Sequence, residues 1–236
     1  MLADQGKLIA SLELNTGLQH GSTYQVALET LLETVGLKPS EIDVWACVTG
    51  PGSFTGLRMA VAATKIYAYL HNKPTIAVNA LEARAHTLLR QGSRPRERVL
   101  ALPLLDARNE RAWAGLYAPD ETLQDVQAGP IGEILQSLAE ENYDVDRLAV
   151  GGIKIPETTV ELLETYFPGR YSLDLGNGLN TEDLAKHLQD KLERGETLDP
   201  QELQVSYFSL SQAERELSKR EGRDVTLPLP EMRSDV

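Results

Sequence analysis

Seven residues, Gly50-Pro51-Gly52-Ser53-Phe54-Thr55-Gly56, constrain this chain more than any other stretch. Three glycines and a proline in so short a run cannot continue a strand or a helix. The apolar run Val44 to Val48 precedes them and an alanine-rich stretch follows, so the local pattern is strand, sharp turn, helix. Ser53 or Thr55 supplies the helix cap. Backbone N–H groups beside a helix start can also hold an anion. We therefore read Gly50, Gly52, Ser53, Thr55 and Gly56 as a structural loop with at most a weak anion site. No Gly-Lys-Ser/Thr follows, which excludes a Walker A loop. Ser53 lacks the strained elbow pattern of a nucleophile, and no histidine partner can be assigned to it.

The helix after this loop spans about 55–71. Ala60, Ala62, Ala63 and Ala68 keep its surface small, while Val61, Ile66, Tyr67 and Leu70 add apolar area. Such a helix is expected to be buried on more than one side, by its own sheet or by a partner. Leu8, Ala10, Leu12 and Leu14 alternate in an expected strand over 7–14. A helix capped at Ser22 or Thr23 runs to Val35 and stops at Gly36. Further strands are expected at 44–49, 74–78, 99–105, 112–117 and 148–150, the last entering Gly151-Gly152. Helices are expected at 81–90, 130–142, 158–166 and 182–194. Asp106 to Glu110 is read as a turn with local ion pairs. The alternation implies an α/β fold with a boundary near 90–98: a first lobe over 1–92, a second over 93–216, and a polar tail over 217–236.

Thirty-five acidic against 23 basic residues, a formal net charge of −12, leave little surface for a phosphate backbone. The short cluster Arg90, Arg94, Arg96 and Arg98 sits around Gly92 and Pro95 and reads as a solvated loop. Cys47, the single cysteine, lies in an apolar run and reads as a buried, inert thiol. Neither a leader sequence nor a membrane-spanning stretch is expected, which makes the cytoplasm the default location.

The run Val48 to Arg58 resembles the signature of the TsaB/YeaZ family. Lys73-Pro74, Ala80-Leu81-Glu82, the Asp106-Ala107-Arg108 turn, Tyr207 and the Ser211-Gln212-Ala213-Glu214-Arg215 segment also fit it. The resemblance implies a two-lobed actin/hexokinase-like (ASKHA) α/β fold. It implies a non-catalytic scaffold that pairs with a TsaD-like catalytic subunit to make N6-threonylcarbamoyladenosine on tRNA. A TsaE-like ATPase would join the complex, ATP and metal would reside on partner subunits, and tRNA would be met only indirectly. It also implies that the first two helices form the partner or homodimer surface, with Tyr24, Leu28, Ala60, Ala63 and Tyr67 as the interface residues.

The chain departs from the family in three places. The family's first strand, ending in Asp-Thr-Ser, is missing, so the first lobe is expected to be truncated and an apolar slot unfilled; a start placed too late is the preferred explanation. His20-Gly21-Ser22-Thr23 replaces a His-Ser-Glu stretch, and Gly151-Gly152 lacks an intervening acid. The rival readings are a glycoprotease-like peptidase and a free-standing nucleotide-binding ASKHA protein. The first is weakened by the absence of a nucleophile–base pair or metal cluster in the sequence; the second lacks the first-strand acid and half of the hairpin that, by the resemblance, would cradle phosphates. The four histidines, His20, His71, His86 and His187, are scattered without a His-x-x-x-His pair, so neither a catalytic residue nor a metal ligand is assigned.

Overall fold

The computed structural model describes residues 1–14, 20–92, 97–119, 121–141, 143–153, 155–176 and 179–207. Arg94, Arg96, the Ser211–Arg215 segment and the tail over 217–236 lie outside them. In the N-terminal half the order is β1 (Leu2–Asp4), β2 (Lys7–Ala10), α1 (His20–Val35), β3 (Trp45–Gly50), α2 (Phe54–Leu70), β4 (Thr75–Asn79) and α3 (Ala80–Gly92). There follow β5 (Val99–Arg108), β6 (Arg111–Ala118), β7 (Glu121–Pro130), α4 (Ile131–Glu140), β8 (Arg147–Ile153), α5 (Thr159–Tyr166), β9 (Tyr171–Asp174) and α6 (Thr181–Glu193).

Three sheets form among the described residues. β1 and β2 make an antiparallel hairpin, β3 and β4 a parallel pair, and the remaining strands a five-stranded sheet in the order β7-β6-β5-β8-β9. The expected strand over 7–14 stops at Ala10. Its partner β1 is only three residues long, and the ladder ends at the Leu2–Ala10 pair. Beyond that pair, Leu12 and Leu14 are exposed.

The caps explain most helix limits. Gly36 ends α1, with the Leu37 N–H donating to the Leu32 carbonyl at 3.0 Å. Asn79 Oδ1 starts α3 by accepting from the N–H groups of Leu81 (2.9 Å) and Glu82 (3.3 Å). Asn180 does the same for α6 through Glu182 and Asp183.

Strand β8 runs through Gly151-Gly152 instead of ending there. Gly152 pairs with Leu104, and a Cβ at Gly152 would overlap the Leu104 carbonyl oxygen. These glycines therefore serve close strand packing, and no ligand loop forms at them. The Asp106–Glu110 turn is also shorter than expected. β5 continues to Arg108, which pairs with Arg111, and Arg108, Asn109 and Glu110 all take positive φ.

Packing centres on α3. Its Leu81, Ala85, Leu88 and Leu89 meet Val99, Ala101 and Ala149 on one face of the five-stranded sheet. Its Ala83 joins Ile76 and Val78 of β4, against which Leu184 and Leu188 of α6 also pack. Helices α4 and α5 cover the other face of the large sheet through Ile131, Ile134, Leu135, Leu138 and Leu163. Arg84, 7% exposed, projects from α3 to the end of β9, where it donates to Asp174 Oδ2 at 2.9 Å and to the Asp174 carbonyl at 3.3 Å.

Removing the Asp174 carboxylate takes away a charged acceptor of the buried Arg84 guanidinium. Asp174→Ala is expected to destabilise the fold by about 2–3 kcal/mol, less than for a fully buried pair because solvent reaches Asp174. Urea unfolding of the two proteins measures this, and equal midpoints would show that the ion pair does not hold β9 to α3.

Candidate partner interface

Strand β3 delivers the chain to the glycine loop at Thr49 and Gly50. Gly50 has φ of +148°, a conformation that only glycine adopts readily. Thr49 is buried, and its hydroxyl donates to the Val78 carbonyl at 3.3 Å. Ser53 caps α2, its Oγ accepting from the Gly56 N–H at 3.4 Å. Ser53 and Thr55 are exposed, Gly52 and Gly56 half-buried, and Gly50 buried.

A returning C-terminal segment straps this region. Leu198 bridges Thr75, and Leu203 is fully buried. Lys65 Nζ donates to the Gln201 carbonyl at 2.9 Å, and the Ser206 N–H donates to the Thr49 carbonyl at 3.0 Å. Tyr207 then reaches the start of α2. Its ring lies 5.7 Å from that of Phe54, and its hydroxyl accepts from Arg58 Nε at 3.0 Å. The Arg58 guanidinium stacks 4.1 Å over the Phe54 ring, a cation–π contact.

Helix α2 resolves into faces. Val61, Thr64 and Ala68 are buried, at the i, i+3, i+7 spacing of one stripe toward β3. Ala60, Ala63 and Tyr67 flank that stripe, half-buried, and Tyr67 stacks on Trp45 at 4.9 Å. On α1, Leu28 is half-buried and Tyr24 is 37% exposed. Burial, together with Tyr67 and Cys47, pushes the Tyr24 phenol above its ordinary pKa, while the Thr64 hydroxyl opposes this. The residues most open to a partner form a different stripe: Ala62, Ile66 (58% exposed), Tyr69 (68%) and Leu70 (69%). Sequence reasoning missed the stripe because every face of α2 is apolar, so periodicity alone had no contrast to report.

The other sequence candidates are engaged in structure. Arg90 pairs with Asp183, and Arg98 with Asp144 and Asp146. Among Asp106, Arg108 and Glu110 the expected ion pairs do not form. Asp106 Oδ1 instead accepts from the Arg108 N–H at 2.8 Å, and Glu110 accepts from the Thr158 hydroxyl at 2.6 Å. Two of the supposedly scattered histidines, His86 and His187, meet with their rings tilted at 41° and their centroids 4.3 Å apart. The i, i+4 spacing of Glu82 and His86 on α3 was the available signal.

These elements define an α/β protein of the ASKHA-like Gcp/YeaZ fold. Two solved structures share it: YeaZ from Pseudomonas aeruginosa (TM-score 0.58, 24% identity, 79% of this chain and 84% of that one), and an uncharacterized protein described as similar to peptidase YeaZ from Pseudomonas aeruginosa (TM-score 0.63, 24% identity, 81% and 85%). A family model described as TsaD, tRNA N6-adenosine threonylcarbamoyltransferase, matches residues 15–220. The chain belongs to that family.

It is 32% identical over 98 residues to the tRNA threonylcarbamoyladenosine biosynthesis protein TsaB of Bacillus subtilis, covering 42% of this chain and 40% of that protein. It is 30% identical over 156 residues to a tRNA N6-adenosine threonylcarbamoyltransferase of Picosynechococcus, covering 61% and 43%. The chain thus spans less than half the length of either relative. The TsaB/YeaZ resemblance is borne out by the fold and by these matches.

Cys47 is half-buried on β3, and burial raises its thiol pKa, with a Thr64 hydrogen bond opposing. A raised pKa means less thiolate at neutral pH, hence slower alkylation. Iodoacetamide is expected to modify the folded protein at pH 8 at least about tenfold more slowly than the urea-unfolded chain. Equal rates would show that Cys47 is neither shielded nor shifted.

Proposed function

We propose that this protein is the non-catalytic partner of a TsaD-type subunit in forming N6-threonylcarbamoyladenosine on tRNA, and that it docks through α1 and α2. The observation that carries this reading is the stripe of Ala62, Ile66, Tyr69 and Leu70, with three large apolar side chains more than half exposed. A contiguous apolar stripe beside a small residue is the pattern of a surface meant to be covered. Tyr24, Leu28, Ala60, Ala63 and Tyr67 lie on the same two helices and shape the floor and margin of that surface. Membership of the threonylcarbamoyltransferase family and the match to TsaB of Bacillus subtilis support the choice of partner.

In this reading the catalytic subunit supplies metal and the site of transfer, and a TsaE-like ATPase joins the assembly. A homodimer would use the same helices and so compete with the heterodimer. Contact with tRNA is indirect, in keeping with the net charge of −12 and with the pairing of Arg90 and Arg98 to acidic residues. No helix among the described residues is long and apolar enough to cross a membrane. The cytoplasm, where tRNA is modified, is the proposed location.

Reconstitution tests this directly. Transfer to tRNA by a TsaD-type subunit is expected to require this chain. Ala62→Glu, which puts a charge into the stripe, is expected to weaken the pair by at least about tenfold while circular dichroism stays unchanged. Transfer that proceeds equally well without the chain would overturn the role. Unchanged affinity from a folded Ala62→Glu variant would overturn the interface. Cleavage of a protein substrate by the isolated chain, lost on substitution within it, would favour the peptidase reading.

A further inference from the structure

Helices α3 and α6 bring together three side chains that partner docking does not use. Glu82 and His86 are one turn apart on α3 and so project from one face. His187 reaches them from α6. One ligand atom from each lies within 4.8 Å of the other two. His187 Nε2 is 3.7 Å from Glu82 Oε1, and the two imidazole rings are tilted at 41°. His187 is 1% exposed, yet neither of its ring nitrogens has a hydrogen-bond partner among the described residues. A buried imidazole ordinarily donates from one nitrogen and accepts at the other, and each orphaned group carries a desolvation cost. Among the described residues both His187 nitrogens are therefore open to a ligand.

We propose that Glu82, His86 and His187 bind one divalent transition-metal ion of the zinc type, and that this ion ties α6 to α3. Two imidazoles and a carboxylate form the mixed nitrogen and oxygen donor set that zinc and its neighbours accept. Magnesium and calcium prefer oxygen alone.

Tetrahedral zinc spaces its ligand atoms about 3.3 Å apart. The three groups therefore need to close by at most about 1.5 Å, which rotation of the half-buried Glu82 and His86 side chains can supply. Glu82 is 27% exposed in its side chain, which leaves a path for the ion and room for a water ligand. Lys191 Nζ lies 3.8 Å from Glu82 and opposes a second cation. Its ammonium has its own counter-ion, however, in Glu196 at 2.5 Å.

The test uses the untagged full chain after chelator treatment. Cobalt titration followed by visible absorption is expected to saturate at one ion per chain with tetrahedral ligand-field bands. Zinc is expected to raise the unfolding temperature. His86→Ala and Glu82→Gln should each lower the affinity by at least about tenfold and abolish the zinc-dependent shift, whereas His71→Ala at the end of α2 should do neither. Both variants alter half-buried positions, so the test survives even if His187→Ala fails to fold. An absence of saturable bands would overturn the proposal, as would binding that His86→Ala leaves unchanged, which would mean an adventitious surface ion only.

Discussion

The rest of the structure depends on the double burial of α3. Its Leu81, Leu88 and Leu89 press into the five-stranded sheet, while Ala83 lies against β4 with α6 alongside. Burying each of those leucines contributes roughly 1.5–3 kcal/mol. Small residues set the spacing. Ala83 and Ala85 are almost fully buried and let backbone approach on both sides. Arg84 sits between them, also buried, and Asp174 at the end of β9 helps to neutralise it. One helix thus connects the parallel pair β3–β4 to the large sheet, and a carboxylate at the far edge of that sheet completes it.

The proposed docking surface follows from this arrangement. With β4 held by α3 and by the Leu198 bridge, β3 has a fixed partner, and α2 can lie across it on Val61, Thr64 and Ala68. Gly50 and Ser53 set the angle at which the helix leaves the strand. Tyr207, Phe54 and Arg58 then hold its first turn. With the Lys65 bond to Gln201 and the Tyr67–Trp45 stack at its flanks, these contacts leave the Ala62–Leu70 stripe exposed among the described residues. A helix held so rigidly presents its apolar groups with little conformational entropy left to lose on association.

Much of this was legible in the sequence, and the gaps have physical reasons. The Gly50–Gly56 loop, its flanking strand and α2 are expected at nearly their observed limits, because glycine, proline and a capping serine are local signals. β7 was missed: Glu121 to Pro130 is polar, with four of its ten residues exposed at a sheet edge, and its pairing to β6 is set by the hairpin. β9 was missed because four residues carry too little pattern. Gly151-Gly152 was expected to open a loop, since sequence cannot show that Leu104 lies across from it. The Glu82, His86 and His187 cluster was hidden for a similar reason, as one member comes from a distant helix. The face of α2 open to a partner needed coordinates, because alanine reads alike inside and out.

The central claim is that α3 couples the two sheets into one cooperative unit. Native-state amide hydrogen exchange tests it most directly, because it reports the opening free energy of each element separately. The account predicts that slow amides in β4, α3 and β5 exchange with one shared free energy, equal to that of global unfolding. Exchange of β3, β4 and α2 in a distinct, lower-energy step, with α3 and the large sheet still protected, would contradict it.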